Sequence, residues 1–256
     1  MQQIFCATAF VLAGTLATQA ADLKVKFVYG GDAEKPGAIN VNKDAAFCGK
    51  HNLVNEKLLV NPKNKGIQNV ILVVYTGRGG TDLDDLGDIK PSKKTHVLAN
   101  DKCRFEPRVV IAQTGDTLKI TNPDDVGHNA NLGFFNNEGQ NFTIPAKQEK
   151  SVSLPEPEPA AMPVECNIHP WMKAFIVVLE HPFAAVSDEN GELTITGLPA
   201  GEELVFRVNH EAGRIEDVTV NGEEESWSRS KFEIELEEGM NDLGTVVIPV
   251  DALSAD

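Results

Sequence analysis

Short runs of alternating or β-branched apolar residues recur along almost the whole chain, separated by glycine, proline, asparagine and aspartate. A period of two in the apolar positions predicts half-buried strands, and clusters of those four residue types predict the turns between them. The predicted strands are Leu23 to Tyr29, Val70 to Tyr75, Arg108 to Gln113, Thr117 to Thr121, Glu149 to Leu154, Phe175 to Leu179, Glu192 to Ile195, Glu203 to Val208, Phe232 to Leu236 and Val246 to Val250. Because no long amphipathic helix competes with them, the pattern favours an all-β fold made of sandwiches.

The first twenty residues differ from this pattern. Residues 1–20 are an apolar run, without a preceding Lys or Arg, that ends in the small residues Ala17-Thr-Gln-Ala20. This run resembles a secretory signal peptide. It is shorter than the ~20 apolar residues of a membrane span, and no other segment is long and apolar enough to cross a bilayer. We therefore expect an exported protein, periplasmic or extracellular, with no transmembrane segment in the mature chain.

The charge of the chain is strongly acidic and unevenly placed. The 256 residues suggest one or two domains, and the formal net charge of −15 argues against a nucleic-acid partner. Residues 181–256 hold 18 of the Asp and Glu residues but only four Lys or Arg. Such asymmetry predicts separate domains. The acidic segment is either a solvated surface or a docking face for a basic partner.

One short motif carries candidate chemistry. It is Cys166-Asn-Ile-His169-Pro170-Trp-Met172, and His128 lies upstream of it. A thiolate, two imidazoles and a thioether form the ligand set of a mononuclear blue-copper site. The three ligands of the motif converge on one ion only if the chain turns there, and Pro170 favours a turn. A Cys-x-x-His pair also occurs in zinc sites or by chance, so the zinc and non-metal interpretations rank behind copper.

Two further stretches strengthen the copper interpretation through a family resemblance. Gly115-Asp-Thr-Leu-Lys-Ile-Thr-Asn122, followed by Gly127-His-Asn129, resembles the first-histidine region of the cupredoxins, and Cys166 to Met172 resembles the short ligand loop of amicyanin. The resemblance, which covers about residues 101–180, implies a Greek-key β-sandwich holding one type 1 copper ion. The metal ligands that it implies are His128, Cys166, His169 and Met172.

The same resemblance assigns roles to the neighbours of the ligands. Asn129 matches the amide that ties the two ligand loops together, and Gly127 matches a position whose carbonyl approaches the metal. In this family the histidine after the cysteine usually presents its ring edge to solvent. We therefore expect His169, flanked by Pro170 and Trp171, to be the port through which electrons enter and leave.

The remaining chain resembles a second family. Asp188 to Gly201 is similar to the signature of the carboxypeptidase regulatory-like, transthyretin-like β-sandwich, a small Ig-like fold. Its first strands resemble Leu23 to Tyr29 and Gln68 to Tyr75. We expect a signal peptide at 1–20, an N-terminal β segment at 21–100, a cupredoxin domain at 101–180 and an acidic sandwich at 181–256. The cupredoxin is either inserted into the second sandwich or placed in series after a leading extension.

The cysteines fit an oxidising compartment. With Cys6 in the predicted signal peptide, Cys48, Cys103 and Cys166 remain, and thiols outside the cytosol tend to pair or bind metal. Since Cys166 has metal-ligand neighbours, we predict a Cys48–Cys103 disulfide. The alternative is three inert buried thiols.

The absence of further motifs narrows the function. Glu165 stands where multicopper oxidases and copper nitrite reductases need a histidine beside the cysteine, and there is no Cys-x-x-Cys-His haem motif. We therefore expect no enzyme activity, but an electron carrier between redox proteins such as a cytochrome or a dehydrogenase. The alternatives are copper binding for storage or delivery, and a structural module with a vestigial copper site.

Overall fold

The computed structural model describes residues 20–255, so the predicted signal peptide, apart from Ala20, lies outside the described residues. Strands dominate this part of the chain, and its α-helix is a single turn at Ala45–Cys48 (α1). The first nine strands are β1 (Ala20–Tyr29), β2 (Ile71–Val74), β3 (Thr95–Asp101), β4 (Arg104–Glu106), β5 (Val109–Gln113), β6 (Asp116–Thr121), β7 (His128–Leu132), β8 (Gln140–Ile144) and β9 (Glu149–Leu154). The others are β10 (Met162–Glu165), β11 (Lys173–Leu179), β12 (Ala184–Val186), β13 (Glu192–Pro199), β14 (Glu203–Asn209), β15 (Asp217–Val220), β16 (Glu223–Ser226), β17 (Lys231–Glu235) and β18 (Gly239–Ile248).

Short 3₁₀ turns lie in the connections between these strands. They span Gly49–His51, Leu83–Leu86, Ser228–Ser230 and Val250–Ala252. Within residues 20–255, no helix is long and apolar enough to cross a membrane.

Two of the four sheets combine the first strands of the chain with the last ones. One sheet has the order β13-β1-β18-β15-β16, and the other has the order β12-β2-β14-β17. In β1 the alternating residues Leu23, Val25 and Phe27 are fully buried, while the lysines between them lie at the surface, as a period of two requires. Their side chains share one hydrophobic core with residues of the facing sheet such as Leu72 and Phe206.

The other two sheets are formed by the middle of the chain. Their orders are β5-β11-β10-β7-β8 and β4-β3-β6-β9. Leu98, Leu118 and Ile176 are fully buried in a second hydrophobic core between these sheets. Cys166 and Met172 belong to this core, so the candidate ligands are placed by the sandwich of these two sheets, the middle sandwich.

The two sandwiches touch along the outer faces of one sheet from each. Ile71 and Val73 of β2 form a small buried cluster with Val109 of β5 and Val177 of β11. Alternate residues of β2 thus serve different cores, and all four residues of the strand are buried.

The all-β sandwich prediction is confirmed. Each of the ten predicted strands overlaps an observed strand, with ends that differ by up to seven residues. The largest difference is β18, which begins at Gly239 instead of Val246. β3 begins at Thr95 and pairs with β6, so the sheets of the middle sandwich start before residue 101.

Candidate metal centre

Three of the predicted ligands are brought together by two neighbouring strands. His128 is the first residue of β7, and Cys166 directly follows Glu165, the last residue of β10. These strands are paired antiparallel, with Glu165 opposite Asn131. Adjacent strands of one sheet lie about 4.8 Å apart, so the pairing places the end of β10 beside the start of β7.

The loop after β10 turns back on itself. The N–H of Met172 donates to the carbonyl of His169 (2.9 Å), and the N–H of Cys166 donates to the carbonyl of Met172 (3.2 Å). These two bonds close the loop, so that Cys166 and Met172 face each other across its ends. The turn predicted around Pro170 is therefore present.

His128, Cys166 and His169 form a buried cluster whose candidate ligand atoms all lie within 4.8 Å of one another. The Nδ1 atoms of the two imidazoles are 3.0 Å apart, and Sγ of Cys166 is 3.8 Å from Nδ1 of His169. Each of the three residues is at most 1% exposed to solvent. The structure thus brings together three of the four predicted ligands through their donor atoms.

Two carboxylates contact the outer edges of the imidazoles. Asp124 lies 2.9 Å from Nε2 of His128, and Asp44 lies 2.9 Å from Nε2 of His169. Because an ionised carboxylate only accepts hydrogen bonds, each Nε2 donates and each Nδ1 presents a lone pair to the centre. Lone pairs 3.0 Å apart repel each other unless a proton or a metal cation lies between them. The donor set therefore fits a cation.

The electrostatics of the cluster favour a thiolate. Burial by itself raises the pKa of the Cys166 thiol, but its hydrogen-bonding contacts with His128, His169 and the N–H of Asn129 outweigh burial and lower that pKa to about 6. Burial likewise opposes the charged form of His128, yet its bonds to Asp124 and Cys166 outweigh burial and raise its pKa. The thiolate is the form of cysteine that binds metals.

Asn129 connects the two ligand-bearing segments. Its side-chain oxygen accepts the N–H of Ile168 (3.2 Å) and the thiol of Cys166 (3.4 Å), and its side-chain nitrogen donates to Asn141 and Asn167. Its own N–H points at the sulfur of Cys166 (3.5 Å). These contacts join β7 to the loop after β10, which is the position that the resemblance gave to Asn129.

The last two predicted site residues lie next to the cluster. Met172 is 1% exposed and packs in the same core as Cys166. Gly127 immediately precedes β7 and is half-buried. The prediction that Met172 is the axial ligand, and that the Gly127 carbonyl approaches the metal, remains a prediction.

The expected exposure of His169 is wrong. Its ring is fully buried, and the carboxylate of Asp44 lies against the Nε2 edge of the ring. Pro170 is exposed, and Trp171 is half-buried with its ring centroid 5.2 Å from that of His169. The indole N–H of Trp171 donates to the carbonyl of Cys103 (3.0 Å).

The predicted disulfide is present. Cys48 and Cys103 are bonded, with Cα atoms 5.5 Å apart and a sequence separation of 55 residues, while Cys166 is a free thiol. The bond fixes α1, and with it the segment that begins at Asp44, to the sandwich that holds the cluster.

Sequence reasoning missed both carboxylates. Asp124 is four residues before His128, so its proximity has a local signal that could have been used. Asp44 is 125 residues before His169, and nothing local in the sequence links the two.

Comparisons with known proteins match a limited part of the chain. No protein-family model matches it, and no curated protein matches it. Among solved structures, an amicyanin mutant in its Cu(I) form is 20% identical with a TM-score of 0.30, over 34% of this chain and 94% of that one. An oxidised amicyanin mutant is 22% identical with a TM-score of 0.29, over 32% and 79%. A copper-containing nitrite reductase from Thermus scotoductus SA-01 is 21% identical with a TM-score of 0.30, over 35% and 23%.

Proposed function

We propose that this protein is a type 1 copper protein of the cupredoxin kind that carries single electrons between redox partners and catalyses no reaction of its own. The observation that carries the proposal is the buried cluster of His128, Cys166 and His169, with both Nδ1 atoms turned towards each other. A thiolate with two imidazoles is the equatorial set of blue-copper sites, and a buried thioether such as that of Met172 completes it. When bound there, copper supplies one-electron redox chemistry.

Burial of the cluster favours an electron carrier over an enzyme. The three residues are at most 1% exposed, so a substrate could not reach a bound metal unless the Asp44 segment moved. Electrons do not need such access. The hydrogen bonds to Asp44, Asp124 and Asn129 hold the ligands in place, and a fixed geometry limits the rearrangement between two oxidation states.

We also propose the division of the chain and its location. The metal-binding unit comprises the sheets that start at Thr95 and end at Leu179, inserted into a second sandwich formed by strands from both sides of it. The first twenty residues act as a secretory signal, and the protein works in the periplasm or outside the cell. The Cys48–Cys103 bond supports this location because disulfides persist in oxidising compartments.

Visible spectroscopy of copper-loaded protein tests the function. We expect an intense blue thiolate-to-copper band, reversible reduction, and loss of the band in Cys166→Ser, because the serine removes the thiolate. Ser153→Ala, at an exposed position of β9, is the control and should keep the band. A colourless site that binds only Cu(I) would indicate storage or delivery instead, and failure to bind copper would indicate a structural module.

The same copper-loaded protein tests the partner. We propose a redox protein such as a cytochrome or a dehydrogenase, steered by the 18 acidic residues of 181–256 towards a basic face. Stopped-flow electron exchange with a basic cytochrome should slow as ionic strength rises, since salt screens exposed charges over about 10 Å at 0.1 M. Rates independent of salt would assign the acidic segment to solvation alone.

A further inference from the structure

We propose that Asp44 and Asp124 are positioning residues for the metal centre, which hold both imidazoles with Nδ1 inward, and that the Cys48–Cys103 disulfide holds both carboxylates in place. The proposal rests on the proposed function for the identity of the metal, but its geometry concerns residues of this chain alone. We call the two carboxylates and the disulfide the outer frame of the centre.

The two carboxylates of the outer frame contact the two imidazoles in the same way. Each ring meets one carboxylate oxygen 2.9 Å from Nε2, on the side opposite the centre. A histidine that ligates a metal commonly donates its other N–H to a carboxylate, which fixes the tautomer and increases the basicity of the ligand nitrogen. Loss of such a partner typically weakens metal binding about 10- to 100-fold.

Asp124 is held by the residues around Cys103. One of its oxygens accepts the N–H of Lys102 (2.7 Å), and the oxygen that meets His128 also accepts the N–H of Cys103 (2.8 Å). Its side chain is 3% exposed. These bonds leave Asp124 a single orientation, with the oxygen shared between His128 and Cys103.

Asp44 is held by the segment that contains Cys48. It caps α1 in a left-handed conformation (φ 45°, ψ 37°), and its carbonyl accepts the N–H groups of Phe47 (2.8 Å) and Cys48 (2.9 Å). A non-glycine residue with positive φ is costly and persists only where its surroundings fix it. Here the backbone at Asp44 is fixed by Cys48, whose side chain is bonded to Cys103.

Cys103 is therefore the common support of the two carboxylates. Its N–H binds Asp124, and its sulfur is bonded to Cys48 in the segment that begins with Asp44. The side chain of Asp44 is 43% exposed, so burial alone does not fix its position. Without the disulfide, that position would depend only on the partly exposed segment around α1. The outer frame thus explains why His169 is buried in this protein.

The first test uses metal-free, ¹⁵N-labelled protein and does not depend on copper. In the wild type we expect His169 to carry its proton on Nε2, with a slowly exchanging N–H resonance, because that N–H is buried and bonded to Asp44. Asp44→Ala should lose this resonance, whereas Asp44→Asn keeps an acceptor oxygen and should retain it. Asp101→Ala is the control, because this carboxylate lies near Cys103 but contacts Lys102 at the surface.

The second test measures Cu(II) binding by competition with a chelator. Asp44→Ala and Asp124→Ala should each weaken Cu(II) affinity tenfold or more and raise the reduction potential, because a less basic imidazole stabilises Cu(II) less. Cys48→Ser combined with Cys103→Ser should reproduce the effect of Asp44→Ala on the His169 resonance. Asp101→Ala should leave both quantities unchanged.

The outcomes separate this proposal from the proposed function. If the wild type binds no copper but the His169 resonance responds as expected, the outer frame stands and the electron-carrier function fails. If Asp44→Ala leaves both the His169 resonance and the Cu(II) affinity unchanged, the outer frame is wrong, whatever the colour of the site. Should Asp44→Ala not fold, an Asp44→Asn variant that folds but loses the His169 N–H resonance would overturn the proposal.

Discussion

Met172 is the predicted ligand whose bond to a metal would be the weakest. Leucine nearly matches its volume and apolar character but lacks the sulfur, so Met172→Leu should keep the fold and the blue band. We expect the reduction potential to rise, because loss of a weak axial donor disfavours Cu(II). Each tenfold loss of Cu(II) binding relative to Cu(I) corresponds to about 59 mV for one electron. A potentiometric titration of the copper-loaded variant measures the shift.

Met162→Leu is the matched control for this prediction. Met162 is half-buried at the start of β10, four residues before Cys166, and contributes nothing to the proposed ligand set. Its replacement should leave the potential where it is. An unchanged potential in Met172→Leu would remove Met172 from the ligand set.

The sequence could predict which side chains form the buried cluster, but not the carboxylates that contact it. His128, Cys166 and His169 were predicted because their residue types match the chemistry of one metal and two of them share a seven-residue motif. Asp44 has no such signal, since aspartate is common at the surface and its position depends on a fold that brings residues 125 apart together. The burial of His169 involves its contact with Asp44, so the sequence could not predict it either.

Several of the strands that were not predicted have a sequence in which apolar residues do not alternate. β7 reads His-Asn-Ala-Asn-Leu, a polar sequence that is nonetheless mostly buried, because His128 belongs to the candidate metal centre and Ala130 and Leu132 belong to the hydrophobic core. β10 contains Pro163, which argues against a strand, and β16 consists of four exposed polar residues. The strands β7 and β10, which position the candidate ligands, are thus among the eight observed strands that the sequence did not predict.

The loop between β7 and β8 is organised by one buried carboxylate. Glu158 accepts the backbone N–H groups of Phe135 (3.0 Å), Asn136 (3.1 Å) and Asn137 (2.9 Å), as well as the side-chain amide of Asn137. Glu158→Gln removes the charge and turns an N–H₂ group towards donors. We expect a loss of about 2 kcal/mol in the free energy of unfolding at pH 7, measured by urea denaturation.

The dependence of this loss on pH is a second readout. Burial raises the pKa of Glu158, but the backbone N–H groups outweigh burial and lower it below the ordinary value of 4.5. The charge therefore stabilises the fold fully above pH 4.5, and this contribution disappears as the pH falls through the folded pKa. The difference between wild type and Glu158→Gln should narrow below that pH. The control is Glu156→Gln, exposed in the same segment; an equal loss there would refute the assigned role of Glu158.

At the scale of the molecule, the pairing of the first strands with the last ones decides the architecture. β1 lies between β13 and β18, and β2 lies between β12 and β14. Both sheets therefore pair strands that precede β3 with strands that follow β11. The sequence left an inserted and a serial arrangement open, because strand pairing over more than 110 residues has no local signature. The sandwich of these two sheets can therefore fold only when contacts of long sequence separation form, and such contacts are slow to form.

A network of charges joins the two sandwiches. Nη2 of Arg108, just before β5, donates to Glu211 (2.9 Å), and Nε of Arg108 binds the other oxygen of that carboxylate. Nη1 of Arg108 also reaches Glu56 (3.4 Å), whose second oxygen accepts from Arg104 (2.8 Å). The side chains of Arg108 and Glu211 are each only 10% exposed, so water solvates this pair poorly.

Arg108→Met should be among the most destabilising single changes outside the two hydrophobic cores. Methionine retains the apolar stem but leaves the Glu211 carboxylate buried and unpaired, which costs about 3–5 kcal/mol. Urea denaturation measures the loss in the free energy of unfolding. Arg108→Met combined with Glu211→Gln should recover part of this loss, because the double variant has no unpaired carboxylate at position 211. Arg214→Met is the control, because this arginine is 77% exposed and lies 3.8 Å from Glu216, and it should cost less than about 1 kcal/mol. Equal losses for Arg108→Met and Arg214→Met would mean that the charge network contributes nothing to holding the sandwiches together.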